Sequence, residues 1–288
     1  MPYCRKCGAE LAADANFCSK CGTPVAQAQA VPASQHQTFK VSGKPRLVVV
    51  NRSPGKVDVR PGADGEVTVD LQLREPDDVE CSVSQSGSTV TVRCRALVHP
   101  FRWPRYFGSG GPRSDISVLV PKESEVHVEA SLDQVTVDGI KGEVNVDTSI
   151  AKIYIANVEG KVHAKARTGQ IEISNVNGTV TVENKTGPVT LENTNGTVSI
   201  QNRMGPIKFS GSLSTTENWF RTRMGSIELQ LTGNPDLTVE AYTHLGSVTP
   251  SPDIADWHYE RGRYVGRIGS GTGKLLIETR TGSVDIHR

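Results

Sequence analysis

Net charge is nearly absent from this chain. Its 288 residues carry 32 Lys and Arg against 31 Asp and Glu, a formal charge of +1. Such a balance provides no whole-chain electrostatic grip on nucleic acid or acidic lipid. Aromatic residues are also scarce, at 5%. No apolar stretch approaches the ~20 residues that a membrane-spanning helix needs. The opening MPYCRKCG lacks the apolar core of a secretory signal, so a soluble cytoplasmic protein is expected. What the chain does have is glycine, 28 residues of it, with Val, Thr, Ile and Asn concentrated in the middle. That is a vocabulary of strands and turns.

Four of the six cysteines stand together near the start, in CRKCGAELAADANFCSKCG at residues 4–22. Cys4 and Cys7 form one C-x2-C pair, and Cys18 and Cys21 form the other. Each pair can grip one side of a tetrahedral ion, and two pairs complete four-coordinate zinc. Four sulfur ligands leave no open position, so the one zinc expected is structural rather than catalytic. A disulfide or a redox CxxC is the other reading of these thiols. The segment resembles the short zinc-ribbon domains found at the front of many bacterial and archaeal proteins, over residues 1–25. Arg5, Lys6 and Lys20 make it mildly basic, which is weak evidence for nucleic acid. A small interaction knob fits better. Residues 26–37 are small and polar and read as a flexible tether.

The middle of the chain repeats with a period of 18, most regularly over 125–214. Gly142, Gly160, Gly178 and Gly196 share one column, and Val144, Val162, Val180 and Val198 share another. Ile153, Ile171, Val189 and Ile207 align in the second half of each repeat, beside Ile155, Ile173, Leu191 and Phe209. Alternation within each half puts these residues on one face of a strand. Self-similarity of this kind marks a solenoid. The expected fold is therefore all-β: a parallel β-solenoid over 38–288 with two short strands per coil. Asn157, Asn175 and Asn193 fall at the corners, where their amides can bond along the column. RMG at 203–205 recurs at 223–225, and HLG at 244–246 and RTG at 280–282 continue the theme. The intervening TTENWF and SPDIADWHYERGRYVGRIGSG read as loops or excursions.

Upstream, RLVVVN, KVDVR, EVTVDLQL, VECSVSQ and TVTVRCRA read as irregular strands. The last two make a hairpin about Ser86-Gly87-Ser88-Thr89. Pairing Val83 with Val92 sets Cys81 opposite Cys94. A cross-strand disulfide is one outcome. Two reduced thiols packed as small apolar groups are the expected one, given the compartment.

The passage VPKESEVHVEASLDQVTVDGIKGEVNVDTS, followed by coils marked TG or MG, resembles the bacterial putative-adhesin domain, a β-solenoid family. The resemblance spans about 38–288 and is strongest over 118–230. It implies a stacked-coil fold of the kind found in envelope-stress proteins. It implies adhesion only through the family's name, and it carries over no catalytic residue.

Enzymes on β-helices need convergent carboxylates or carboxylates with Arg or Lys. Here outward Asp and Glu interleave with Lys, and His127 and His163 lie two coils apart. GSGTGK at 269–274 lacks the spacing of a phosphate loop and reads as turn chemistry. No enzymatic activity is expected. Two aromatic-basic segments are the candidate partner sites. The first carries Phe101, Arg102, Trp103, Arg105, Tyr106 and Phe107, and the second carries Trp257 and Tyr259. Such side chains bind a protein, a glycan or a membrane surface, or they cap the core. The sequence thus predicts an interaction scaffold, a zinc knob on a solenoid that self-associates through its ends. A ligand- or envelope-binding module is the alternative, and a carbohydrate-active enzyme is the third reading.

Overall fold

A computed structural model describes residues 9–10, 18–21, 33–97 and 111–288. Among them every regular element is a strand except one 3-10 turn, Pro76–Asp78. The first seven strands are β1 (Ser34–Lys40), β2 (Arg46–Arg52), β3 (Val57–Pro61), β4 (Glu66–Arg74), β5 (Val79–Ser86), β6 (Thr89–Ala96) and β7 (Arg113–Val120). The regular repeat supplies β8 (Glu125–Asp138), β9 (Lys141–Thr168), β10 (Ile171–Thr186), β11 (Val189–Met204) and β12 (Ile207–Leu213). There follow β13 (Glu217–Met224), β14 (Ile227–Leu231), β15 (Leu237–Leu245), β16 (Val248–Thr249), β17 (Ala255–Glu260), β18 (Arg263–Ile268), β19 (Gly273–Thr281) and β20 (Val284–His287).

The period of 18 is the stacking period. Val126 lies against Val144, Val162 against Val180, and Val180 against Val198, all in parallel register. The Glu159 amide donates to the Ile140 carbonyl at 3.0 Å and joins the two groups within β9. All four valines from 144 to 198 are buried, as are Ile153, Ile171, Val189 and Ile207. One thin aliphatic core thus runs the length of the stack. The two half-coil strands are not separate, however. They run through the Gly160, Gly178 and Gly196 corner as one bent strand, 28 residues in β9 and 16 in β10 and β11. The Asn corner is where the bend is made. Asn157, Asn175 and Asn193 adopt φ of 55°, 54° and 48°, and their amides form the expected ladder. Asn175 Nδ2 donates to Asn157 Oδ1 at 3.1 Å, and Asn193 Nδ2 donates to Asn175 Oδ1 at 2.7 Å.

At both ends the chain order departs from the stacking order. β2 and β3 stack on the two halves of β8, and the later strands β6 and β7 stack outside them. Antiparallel strands then close this end: β5 on β6, and β4 with β1 on β7. Ser34–Gln37, read from composition as the end of the tether, already belong to β1. At the other end β13 rests on β11, and β19, not β15, rests on β13. β15 lies beyond β19 and is covered by the antiparallel hairpin β18–β17. The segment TTENWF is therefore not a loop. Its ENWF portion starts the rung β13, and Phe220 is fully buried edge-on to Phe209, with ring centroids 5.2 Å apart.

The expectation of two reduced thiols at Cys81 and Cys94 is overturned. The hairpin forms in the expected register, Val83 facing Val92, and Cys81 and Cys94 are joined as a disulfide. Their Cα atoms stand 4.2 Å apart, so the strand pairing itself brings the sulfurs into bonding range.

Candidate functional site

Of the four proposed zinc ligands, Cys4 and Cys7 lie outside the described residues. Cys18 is buried, and Ala9 and Cys21 pack against it. Phe101, Arg102, Trp103, Arg105, Tyr106 and Phe107 also lie outside the described residues. Arg113, at the edge of that segment, is tied back by Asp115 at 2.9 Å and Asp133 at 2.7 Å. Trp257 and Tyr259 sit on the terminal hairpin. Trp257 stacks on Tyr264 with centroids 5.8 Å apart and packs against the core, so this ring caps the solenoid. Tyr259 meets the edge of Tyr264 at 5.1 Å and is 66% exposed.

The glycine-rich GSGTGK turn has its anion built in. The Asp236 carboxylate accepts from the Ser270 hydroxyl at 2.6 Å, the Thr272 hydroxyl at 2.8 Å, and the amides of Gly271 and Thr272. The Ser270 and Thr272 hydroxyls, aided by those amides, hold this carboxyl far below the usual carboxylate range. A folded pKa below the unfolded one stabilises above the ordinary Asp value, and that stability is lost as pH falls toward the folded value. Asp236→Asn is therefore expected to remove part of the stability lost on acidification below about pH 4. Thermal melts of both proteins from pH 6 to pH 2 check this, and parallel pH profiles would contradict it.

An open groove of about 560 Å³ lies near the C-terminal end of the stack. It crosses four neighbouring strands, β11, β13, β19 and β15. Arg203, Arg221, Arg223 and Arg280 line it with Tyr242 and His244. The lining's one carboxylate, Glu278, is already held by Arg221 at 3.0 Å. Arg221 also reaches over the Trp219 ring, 6.0 Å from its centroid. Guanidinium groups stay protonated at any working pH and offer planar forks to carboxylate, sulfate or phosphate. The groove is thus equipped to hold anions. Among the described residues no group of three or more His, Cys, Asp or Glu side chains converges to hold a metal.

With the coils and groove in view, the comparison with known families is direct. The family model described as Toastrack DUF4097 matches residues 47–287. The chain belongs to the Toastrack family. A zinc-ribbon domain model matches residues 3–25, ahead of the Toastrack domain and across all four N-terminal cysteines. No curated protein matches the chain.

Solved structures similar to this Toastrack chain include a "putative cell adhesion protein" from Clostridium sporogenes ATCC 15579. It is 11% identical, with TM-score 0.29, over 88% of this chain and 99% of that one. A "putative adhesin" from Bacteroides fragilis NCTC 9343 is 13% identical, with TM-score 0.30, over 88% and 96%. One from Parabacteroides merdae ATCC 43184 is 7% identical, with TM-score 0.32, over 88% and 96%. These scores are too low for the likeness to bear on fold or function.

Sequence reading placed none of the Toastrack groove residues in a site. The signal was present in RMG, RMG and RTG, whose recurrence marks coils and equally sets Arg203, Arg223 and Arg280 at one repeat position. Only the true stacking order, with β19 between β13 and β15, brings those three side chains next to one another.

Proposed function

We propose that this Toastrack chain is a non-enzymatic binding module that takes an anionic partner along its solenoid, with the zinc ribbon as a second interaction knob. The observation that carries the reading is the groove, where four arginines face a single carboxylate that one of them already neutralises. A soluble polyanion such as heparin should bind at low salt and weaken as salt rises. The triple variant R203Q/R223Q/R280Q should bind it at least tenfold more weakly, at roughly one charge-assisted contact per arginine. Calorimetric titration checks this, and equal binding by both proteins would remove the groove from the account.

The ribbon is proposed to hold one zinc through Cys4, Cys7, Cys18 and Cys21, which keeps those thiolates reduced. Elemental analysis should give one zinc per chain. The denatured, zinc-stripped chain should take up four alkyl labels without reductant and all six after reduction, the difference being Cys81 and Cys94. Six labels without reductant would contradict the disulfide, and absence of zinc would contradict the ligand set.

Self-association is the second reading. It is favoured by β1, β5 and β17, each of which pairs along one edge only among the described residues. Sedimentation that shows a single monomeric species at high concentration removes it.

A further inference from the structure

Each coil of the stack turns at the same corner, and there the in-out alternation of the strand lapses. The last two residues of β9, β10, β11, β13, β19 and β15 are both exposed. The first of the two is basic in every case. In stacking order these residues are Arg167, Lys185, Arg203, Arg223, Arg280 and His244. The residues beside them stand in direct register: Thr168 with Thr186, Thr186 with Met204, Met204 with Met224, Met224 with Thr281, and Thr281 with Leu245. At ~4.8 Å between neighbouring strands, the basic column runs about 24 Å.

Like charges facing one another across strands are unfavourable. Elsewhere on this solenoid Lys141 is offset by Glu159 of the adjacent coil at 2.9 Å, Lys165 by Glu183 at 3.8 Å, and Lys208 by Glu228 at 2.9 Å, while Lys152 and Lys161 stand singly rather than in a column. The corner column has no such compensation. None of its six side chains makes an ion pair among the described residues, and Glu183 and Glu278, two residues before Lys185 and Arg280 on the same strands, are held by Lys165 and Arg221. The fold does not need this column, but an anionic partner would.

The second exposed residue of each corner tells which kind of partner. Met204, Met224 and Leu245 stand at three of the six corners and Thr168, Thr186 and Thr281 at the others, and the same line continues down the stack through Ile150 to Leu132. Five of the seven large apolar side chains exposed among the described residues lie on this one line. The chain has three methionines, and both internal ones are here. Unbranched and polarisable, Met adapts to irregular apolar surroundings. A soluble polyanion would satisfy the basic column and leave the apolar line in water. A bilayer surface accepts both, with apolar side chains at the acyl boundary and basic ones among the lipid phosphates.

We propose that this corner docks lengthwise on an anionic lipid surface, the basic column on the headgroups and the methionine-leucine line dipping beneath them. The proposal rests on reading the arginine groove as an anion site, and names the anion's source. Co-sedimentation with vesicles of mixed phosphatidylglycerol and phosphatidylcholine should capture the full-length protein, and phosphatidylcholine vesicles alone should not. R203Q/R223Q/R280Q should weaken capture roughly 100-fold, at about fivefold per basic residue near an anionic surface. M204S/M224S should weaken it about tenfold while leaving heparin binding unchanged. All five sites are exposed, and a thermal melt matching the parent confirms that each variant is folded. Heparin binding without vesicle capture, or capture indifferent to M204S/M224S, would overturn the lipid assignment and leave the groove reading intact. Failure of both probes would overturn the two together.

Discussion

Alanine at Gly178 is expected to destabilise the solenoid by about 3 kcal/mol or more, near the top of what a single methyl group can do. Gly178 sits at φ 143°, where L side chains rarely go. A Cβ there would stand 1.9 Å from the Gly160 carbonyl oxygen of the coil below and 2.9 Å from its carbon. Both are backbone atoms held in the ladder between β9 and β10, so no side chain can yield to make room. Gly196 stands on Gly178 in the same way, and displacement in one coil passes to the next. Gly43→Ala is the control. It too is left-handed, with φ 67°, but nothing lies within 4 Å of its added methyl. Conformation alone should then cost about 1–2 kcal/mol. Urea unfolding followed by circular dichroism separates the two, and equal losses would mean that the coils are not in backbone contact at Gly178.

Asn202→Asp should cost about as much, for an electrostatic reason. Asn202 is buried inside the other corner, where its Nδ2 donates to the carbonyls of Gly187 and Gly205, each at 3.0 Å. Asn184 repeats the arrangement one coil below, on Gly169 and Gly187. An aspartate turns that donor into an acceptor facing two carbonyl oxygens and buries a charge. A loss of about 3–5 kcal/mol at neutral pH is expected. Burial would raise the new carboxyl's pKa above its unfolded value, because the protonated form keeps one hydrogen to donate. The folded state then binds the extra proton more tightly. The penalty accumulates as pH rises through the window above the unfolded value, and it fades on acidification. This slope is opposite in sign to that of Asp236. Asn202→Ala, which also removes the unpartnered Oδ1, should lose only about 1–2 kcal/mol and show no pH dependence. A pH-independent loss in Asn202→Asp would contradict the buried placement.

The regular part of the fold was legible because one residue class recurs at one interval. Val144 through Val198 had to face a common interior once 18 residues were granted to a coil. The asparagine corners were equally readable, since few side chains tolerate φ near 50° and also bond along a stack. The ends were not legible, because the repeat says what a coil looks like and not which coil sits beside it. RTGSVDI comes last in the chain but is inserted between two earlier rungs, β13 and β15. Trp219 and Phe220 break the aliphatic pattern, so a buried rung resembled a loop. Alternation across the hairpin sets Cys81 opposite Cys94, but a compartment argument points away from the bond that the structure holds. The groove escaped for a subtler reason. A formal charge of +1 averages over the chain, whereas register concentrates six basic residues on one line.

The inserted position of β19 also governs how the C-terminal region comes together. β15 and the hairpin that covers it precede β19 in the chain, yet they have nothing to rest on until β19 has joined β13. This segment acts as a keystone: three strands wait for it, and cutting it away would release the cap and the coil beneath it in a single step.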